Sequence, residues 1–237
     1  MKKSDLRSNI MKNKRVINAM LKNQPMRKRG FWGWTKHEIY NENEALIPRS
    51  PEARRLKMFA SINYTYMENQ RNVVEYISRN HKPIGRFEVY DIHSRLCENT
   101  DTPGGALRTA DCDLGALNIF PPSAQKILYK MENVYYYLQD AKLDPISKAL
   151  QAHYDIIALQ PFCDYNKRTA RMIMNWVLLQ NGFTPIIFNC QNDRKFYMAT
   201  LRLFADNPSA YEYCMLGSMR RTQEQIMRVL TTAQTGR

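Results

Sequence analysis

Between Leu159 and Arg171 the chain reads LQPFCDYNKRTAR, a short polar loop that runs straight into a helix carrying Lys167, Arg168 and Arg171. Arg168 and Arg171 are three apart and so lie side by side on that helix. The amide N–H groups that open a helix have no partner inside it, and the helix dipole favours negative charge at that end. Cations crowded into the same turn oppose the dipole, an arrangement that makes sense when an anion sits among them. The chemistry this implies is phosphate binding; the competing reading pairs the arginines with carboxylates across the fold. Asp164 beside the phosphates would supply the single carboxylate through which Mg²⁺ is commonly held. Asp164 and Asn166 are also placed to cap the helix, which is expected to begin near Lys167.

Gln160 occupies the mouth of the loop, where a proton acceptor would be useful. A neutral amide cannot take a proton near pH 7, whereas an imidazole with a pKa near 6.5 is suited to it. His153 lies two helical turns before Gln160, and with His93 it reads as a buried, hydrogen-bonded structural residue. Cys163 has no His or Asp at a helpful spacing and reads as a loop filler. With Cys97, Cys112, Cys190 and Cys214 it makes an odd, scattered set without a C-x-x-C pair, so reduced thiols are expected.

Positioning that loop requires helices on both sides. DPISKALQAHYDIIALQ starts a helix at Pro145 with Leu150, Tyr154 and Ile157 inward, and Pro161 stops it by pushing Gln160 toward extended geometry. After the loop, Ala170, Ile173, Met174, Val177 and Leu178 form a core-facing stripe that ends at Gly182. Upstream, Ser50 and Pro51 open a helical stretch reaching about Asn80, Val89, Ile92 and Leu96 mark another helix, and Ile127, Met131, Val134, Tyr135 and Leu138 a third. Residues 99–122 are poorly helical between turn residues and read as an extended ribbon or hairpin, and two further helices follow position 190. The class is all-α with a small β element, built as one core with appendages.

The formal charge of +13 asks for an anionic partner. Lys2, Lys3, Arg7, Lys12, Lys14, Arg15, Lys22, Arg27, Lys28 and Arg29 crowd the first thirty residues, followed by Phe31, Trp32 and Trp34. This reads as a solvated basic arm whose aromatics tuck onto the main domain, with an acidic partner or a membrane surface as its counterpart. No motif with a defined nucleic-acid docking geometry occurs, and no apolar run approaches the roughly 18 residues a membrane span needs. The N-terminus lacks the apolar region of a secretory signal, so a cytoplasmic protein is expected unless a dedicated secretion machine reads another address.

Gln160-Pro161-Phe162-Cys163-Asp164-Tyr165-Asn166-Lys167-Arg168-Thr169-Ala170-Arg171 resembles the Fic family signature, H-x-F-x-(D/E)-G-N-(G/K)-R-x-x-R, with glutamine at the histidine position and tyrosine at the glycine. AHYDIIALQPF, MNWVLLQNGFTPIIF and the RTADCDLGALNIFPP ribbon extend the resemblance over roughly residues 86–205. It implies a helical bundle with a β-hairpin flap that transfers AMP from ATP to a Ser, Thr or Tyr hydroxyl of a protein target. It further implies Gln160 at the position of the base, Phe162 as loop anchor, Asp164 on Mg²⁺, and Asn166, Lys167, Arg168 and Arg171 on the nucleotide. The target would lie along the flap at Cys112, Asp113, Leu114 and Gly115. Glu68, within YTYMEN, resembles the family's inhibitory glutamate, which pairs with the second signature arginine, here Arg171. Lys167 resembles a variant that accompanies phosphoryl transfer with a reversed nucleotide. A positive φ at Tyr165 would cost about 1 kcal/mol.

Three functions follow: a weak or inactive adenylyltransferase or a phosphotransferase, a non-catalytic nucleotide- or partner-binding pseudoenzyme, and an altered form of an active enzyme. The expected division is 1–45 as arm, 46–82 as a helical region with the inhibitory segment, 83–218 as core and 219–237 as a C-terminal helix or tail.

Overall fold

The computed structural model describes residues 2–22, 24–46, 57–114, 119–188, 191–204 and 207–235. They form α1 (Lys3–Leu21), α2 (Pro25–Leu46), α3 (Lys57–Arg79), α4 (Arg86–Leu96), α5 (Ala124–Gln139), α6 (Pro145–Leu159), α7 (Asn166–Gln180), α8 (Gln191–Leu203) and α9 (Pro208–Thr235). The all-α expectation is met, with no strand among the described residues. The ribbon over 99–122 is largely irregular coil, and its β character is one antiparallel bridge between Leu114 and Ile119. Several turn residues and few β-formers leave it little reason to extend further. Gly115 and the cap expected at Ser50 and Pro51 lie outside the described residues.

α7 is the axis of the fold. Its apolar stripe is buried as expected, but Met172 and Trp176 on the other side are buried too, because α6, α4 and α3 all pack against it. A helix wrapped in this way holds the loop at its N-terminus on a rigid support. α6 delivers the loop from the other side; Asp144 caps it by accepting the Ser147 amide at 2.8 Å, with Pro145 in the first turn.

The basic N-terminal segment differs from a solvated arm. Leu6, Ile10 and Ile17 recur at helical spacing and are buried as α1 lies along α9, so the lysines and arginines occupy the outer side of a packed helix. Arg7 reaches Glu212 at 2.7 Å and Asp144 at 3.0 Å, and Lys3 reaches Glu212 at 2.6 Å, fastening α1 to both helices. Phe31 joins Ile17, Ile226 and Leu230 in a smaller core beside the main one, with Trp32 and Trp34 packed against it.

Candidate functional site

Gln160 is not in the extended geometry expected before a proline. It takes the left-handed conformation at φ 44° that closes α6, its amide donating to Ile156 O at 3.1 Å. Its side chain turns inward, with Nε2 donating to Ile157 O at 2.7 Å and Oε1 accepting from Asn166 Nδ2 at 3.1 Å. Asn166 does not cap α7 either. As the first helical residue it faces back into the loop, donating to Phe162 O at 2.8 Å and accepting the Phe162 amide at 2.9 Å. A side-chain amide offers a donor and an acceptor together, which suits it to bridge residues four to six apart in a loop. Gln160 and Asn166 therefore act as two staples that close the loop on itself.

Tyr165 is the residue that turns the chain into α7, and it does so at φ 60°. That is the left-handed region a glycine enters without strain, at a cost of about 1 kcal/mol for tyrosine. Burial of its ring at 3% exposure offsets the strain.

The loop is held from behind by His93 and Arg108. The Phe162 ring stacks on the His93 imidazole at 3.8 Å between centroids. The Gly105 amide donates to His93 Nδ1 at 2.9 Å, so the proton resides on Nε2, which lies 3.2 Å from Asp164 O and donates to it. Arg108 is 7% exposed and ties the loop to the base of the ribbon. Nε donates to Gln160 O at 2.7 Å, its backbone amide to Pro161 O at 2.8 Å, Nη1 to Ala110 O at 2.7 Å and Nη2 to Pro122 O. Reasoning from sequence assigned no role to Arg108. The only signal available was a single cation in a ribbon whose other charges, Asp101, Asp111 and Asp113, are acidic.

Arg168 lies between two tyrosines, its guanidinium 4.4 Å from the Tyr165 ring centroid and 4.7 Å from that of Tyr66 on α3. The rings meet edge to face at 5.3 Å. Tyr66 is thus the α3 side chain seen to reach the loop, a role the sequence did not suggest. Glu68 makes its ion pair at 3.7 Å with Arg71, one turn along the same helix. Asn69, beside it, anchors α3 by donating to Leu96 O and Glu98 O at 3.1 and 2.6 Å. Lys167 is exposed at the N-terminus of α7, while Arg171 is buried near His153.

Asp164 is exposed, and its Oδ1 accepts the Tyr165 amide at 2.6 Å. No group of three metal-ligating side chains occurs among the described residues. One open carboxylate fits Mg²⁺ that arrives with phosphates, which supply further oxygens, and does not fit a cage built from protein alone. On the ribbon, Cys112 and Asp113 are exposed and Leu114 half-buried.

Both site-flanking histidines are buried and hydrogen-bonded, as expected. Burial pushes His93 down to about 4, and burial together with the Arg171 charge pushes His153 down to about 3. His153 lies 2.6 Å from the Tyr211 hydroxyl and 2.9 Å from that of Tyr197. An unfolded imidazole binds its proton near pH 6.5, so below that pH the unfolded state holds more protons than the native one and stability falls with pH. The contribution of the neutral rings is whole above about pH 6.5 and declines as the pH drops toward 4. Unfolding at pH 5 should take up about two protons from these rings, read as a urea midpoint that falls steadily from pH 7 to 4.5. A flat midpoint over that range would show that the rings are protonated in the fold.

Residues 83–178 match the family model described as Fic/DOC family. Among curated proteins, the protein adenylyltransferase fic-1 of Caenorhabditis elegans is 25% identical over 166 residues, which are 64% of this chain and 32% of that protein. The match therefore spans about a third of the relative's length (32%). Among solved structures, Fic-1 from C. elegans superposes with a TM-score of 0.75 at 18% identity, covering 99% of this chain and 74% of that one. IbpAFic2 covalently tethered to Cdc42 superposes with a TM-score of 0.55 at 15% identity, over 95% and 71% of the two chains.

Proposed function

Given that residues 83–178 match the Fic/DOC family model, we propose that this chain binds the phosphates of a nucleotide at the start of α7 and docks a protein target on its ribbon, with adenylyl transfer disabled at Gln160. The observation that carries the proposal is the placement of the Gln160 amide, whose donor is used by Ile157 O and whose acceptor is used by Asn166 Nδ2. In adenylyl transfer, a target hydroxyl gives up its proton as its oxygen bonds to the α-phosphorus, and pyrophosphate leaves. Gln160 lacks the basicity to take that proton, and its side chain is turned inward onto Ile157 O and Asn166.

The first-turn amides of α7 and the side chains of Lys167, Arg168 and Arg171 supply the positive field for the phosphates. Asp164 would hold the Mg²⁺ that accompanies ATP, where the ion would neutralise phosphate charge. The Cys112–Leu114 edge is open for a target strand to add by main-chain hydrogen bonding. The tethered complex of IbpAFic2 with Cdc42 supports a protein as the class of target. The basic outer side of α1 and α2 suits an acidic surface on it.

Arg168 is engaged by the two tyrosine rings, so phosphate must draw it out of the stack. Each cation–π contact is worth about 0.5–1 kcal/mol, and releasing one predicts that Tyr66→Ala binds Mg²⁺–ATP about threefold more tightly. Calorimetric titration tests both points. Binding by the parent chain, tightened in Tyr66→Ala and weakened at least about tenfold in Arg168→Ala, is the expected result. Absence of binding by both the parent and Tyr66→Ala would remove the nucleotide from the proposal and leave a docking scaffold.

A further inference from the structure

At the far end of α7 from the loop lies a cavity of about 660 Å³. α1 contributes Lys14, Ile17 and Asn18, with Lys22 just beyond it, α2 contributes Lys28, Phe31 and Trp32, and His81 and Phe183 complete the wall. The volume is that of a small-molecule site, within the usual 300–1,000 Å³. Its composition is one-sided. The floor is aromatic and aliphatic, the rim carries Lys14, Lys22, Lys28 and His81, and no carboxylate lines it among the described residues. None of those four cations forms an ion pair with a described carboxylate. This contrasts with Lys3, Arg7 and Lys36, which are all paired.

Lys14 is the informative member. Its ammonium sits 3.9 Å over the face of the Phe183 ring, and burial lowers its pKa. A cation held over a ring and partly removed from water, in a cavity whose other described charged groups are basic, is stabilised when an anion enters. The site is also firmly built. Gly182 takes φ +71° at the end of α7, where an added Cβ would come within 3.2 Å of Asn18 Nδ2, so α1 seats closely on the α7 terminus. Phe31 meets Trp32 edge to face at 5.3 Å, giving the α2 wall a fixed aromatic surface.

We propose that this cavity is a binding site for a small aromatic anion, its flat body against Phe31, Trp32 and Phe183 and its negative group among Lys14, Lys22 and Lys28. The site is separate from the loop and stands whether or not the loop binds a nucleotide. The occupant requires both parts: a neutral aromatic leaves the lysines unpaired, and a bare anion leaves the apolar floor wet.

Anilinonaphthalene sulfonate is a suitable probe, because it carries a flat apolar body and one fixed negative charge; its uncharged relative phenylnaphthylamine isolates the charge. The full chain in its native state should bind one sulfonate probe per chain, with emission rising on binding and energy transfer from tryptophan. Lys14→Ala combined with Lys28→Ala should weaken binding by about tenfold, the loss expected for two charge contacts at a partly exposed site. The same pair changed to arginine should restore it. Phenylnaphthylamine should bind at least about tenfold more weakly than the sulfonate, and Arg168→Ala should leave the probe's affinity unchanged. Thermal melts of each variant confirm that the fold is retained. Equal binding of the neutral probe, several probes per chain, or indifference to the lysine changes would overturn the proposal, as would loss of the probe in Arg168→Ala, which would place it at the loop.

Discussion

Replacing Gln160 by histidine should raise adenylyl transfer by about 10² to 10⁴, the range that a positioned general base contributes. The assay is incorporation of labelled AMP from ATP into the chain itself or into added protein, parent against Gln160→His. The expectation rests on how little else the substitution disturbs. Gln160 already holds the left-handed turn, and Arg108 grips its carbonyl, not its side chain, so the new imidazole inherits the same backbone. Both side-chain bonds of Gln160 are lost, that from Nε2 to Ile157 O and that from Asn166 to Oε1, but Asn166 keeps its two bonds to Phe162. Lys167, Arg168 and the ribbon at Cys112–Leu114 are not touched by the change. A rate unchanged by histidine, in a protein shown to bind Mg²⁺–ATP, would mean that the missing base is not the block. The tyrosine at 165 and the occupied Arg168 would then be the places to look, since both differ from what close passage of a diphosphate would favour.

Arg108→Ala should destabilise the protein by about 3–5 kcal/mol, the scale seen when a buried charged donor is removed and its acceptors are left behind. Three carbonyls lose a charge-assisted partner: Gln160 O, Ala110 O and Pro122 O. The Arg108 side chain is only 3% exposed, so water does not readily take its place. For a chain of this size the loss should lower Tm on the order of 10 °C. Arg108→Lys keeps the charge but cannot reach divergent carbonyls as a planar fork does, and should fall between. Amide exchange should quicken in 108–114 and 160–166 before it does in α6 and α7, because those two segments are joined through this side chain. A variant within 1 kcal/mol of the parent by denaturant unfolding, with exchange unchanged, would show that the clamp is redundant.

The helices could be read from the chain because their signals are local. Pro145 and the inward residues of α6, the stripe of α7 and the break at Gly182 all act within a turn or two of where they sit. Position 160 was likewise visible as a defect in proton chemistry, since an amide's lack of basicity needs no fold to establish it. Tyr165 was recognised as a turn residue under strain, and its φ of 60° agrees.

What the chain did not disclose are the pairings between distant segments. Charge density made the first thirty residues read as an arm; the apolar positions Leu6, Ile10 and Ile17 became meaningful only once α9 lay beside them. The cap expected of Asn166 failed because its side chain found partners across the loop at Phe162, and the extended backbone expected of Gln160 gave way to the left-handed turn that closes α6.

The residue types between 159 and 171 thus supplied by themselves the reading of a loop suited to an anion but lacking a base, because basicity and helix-end polarity belong to the residues. Only the tertiary structure decided that Arg108 grips a carbonyl 52 positions away and that His93 backs Phe162. It likewise decided that Tyr66 reaches across from α3 to hold Arg168. Such contacts leave no periodicity in the chain, since their geometry is set by helices that must first pack.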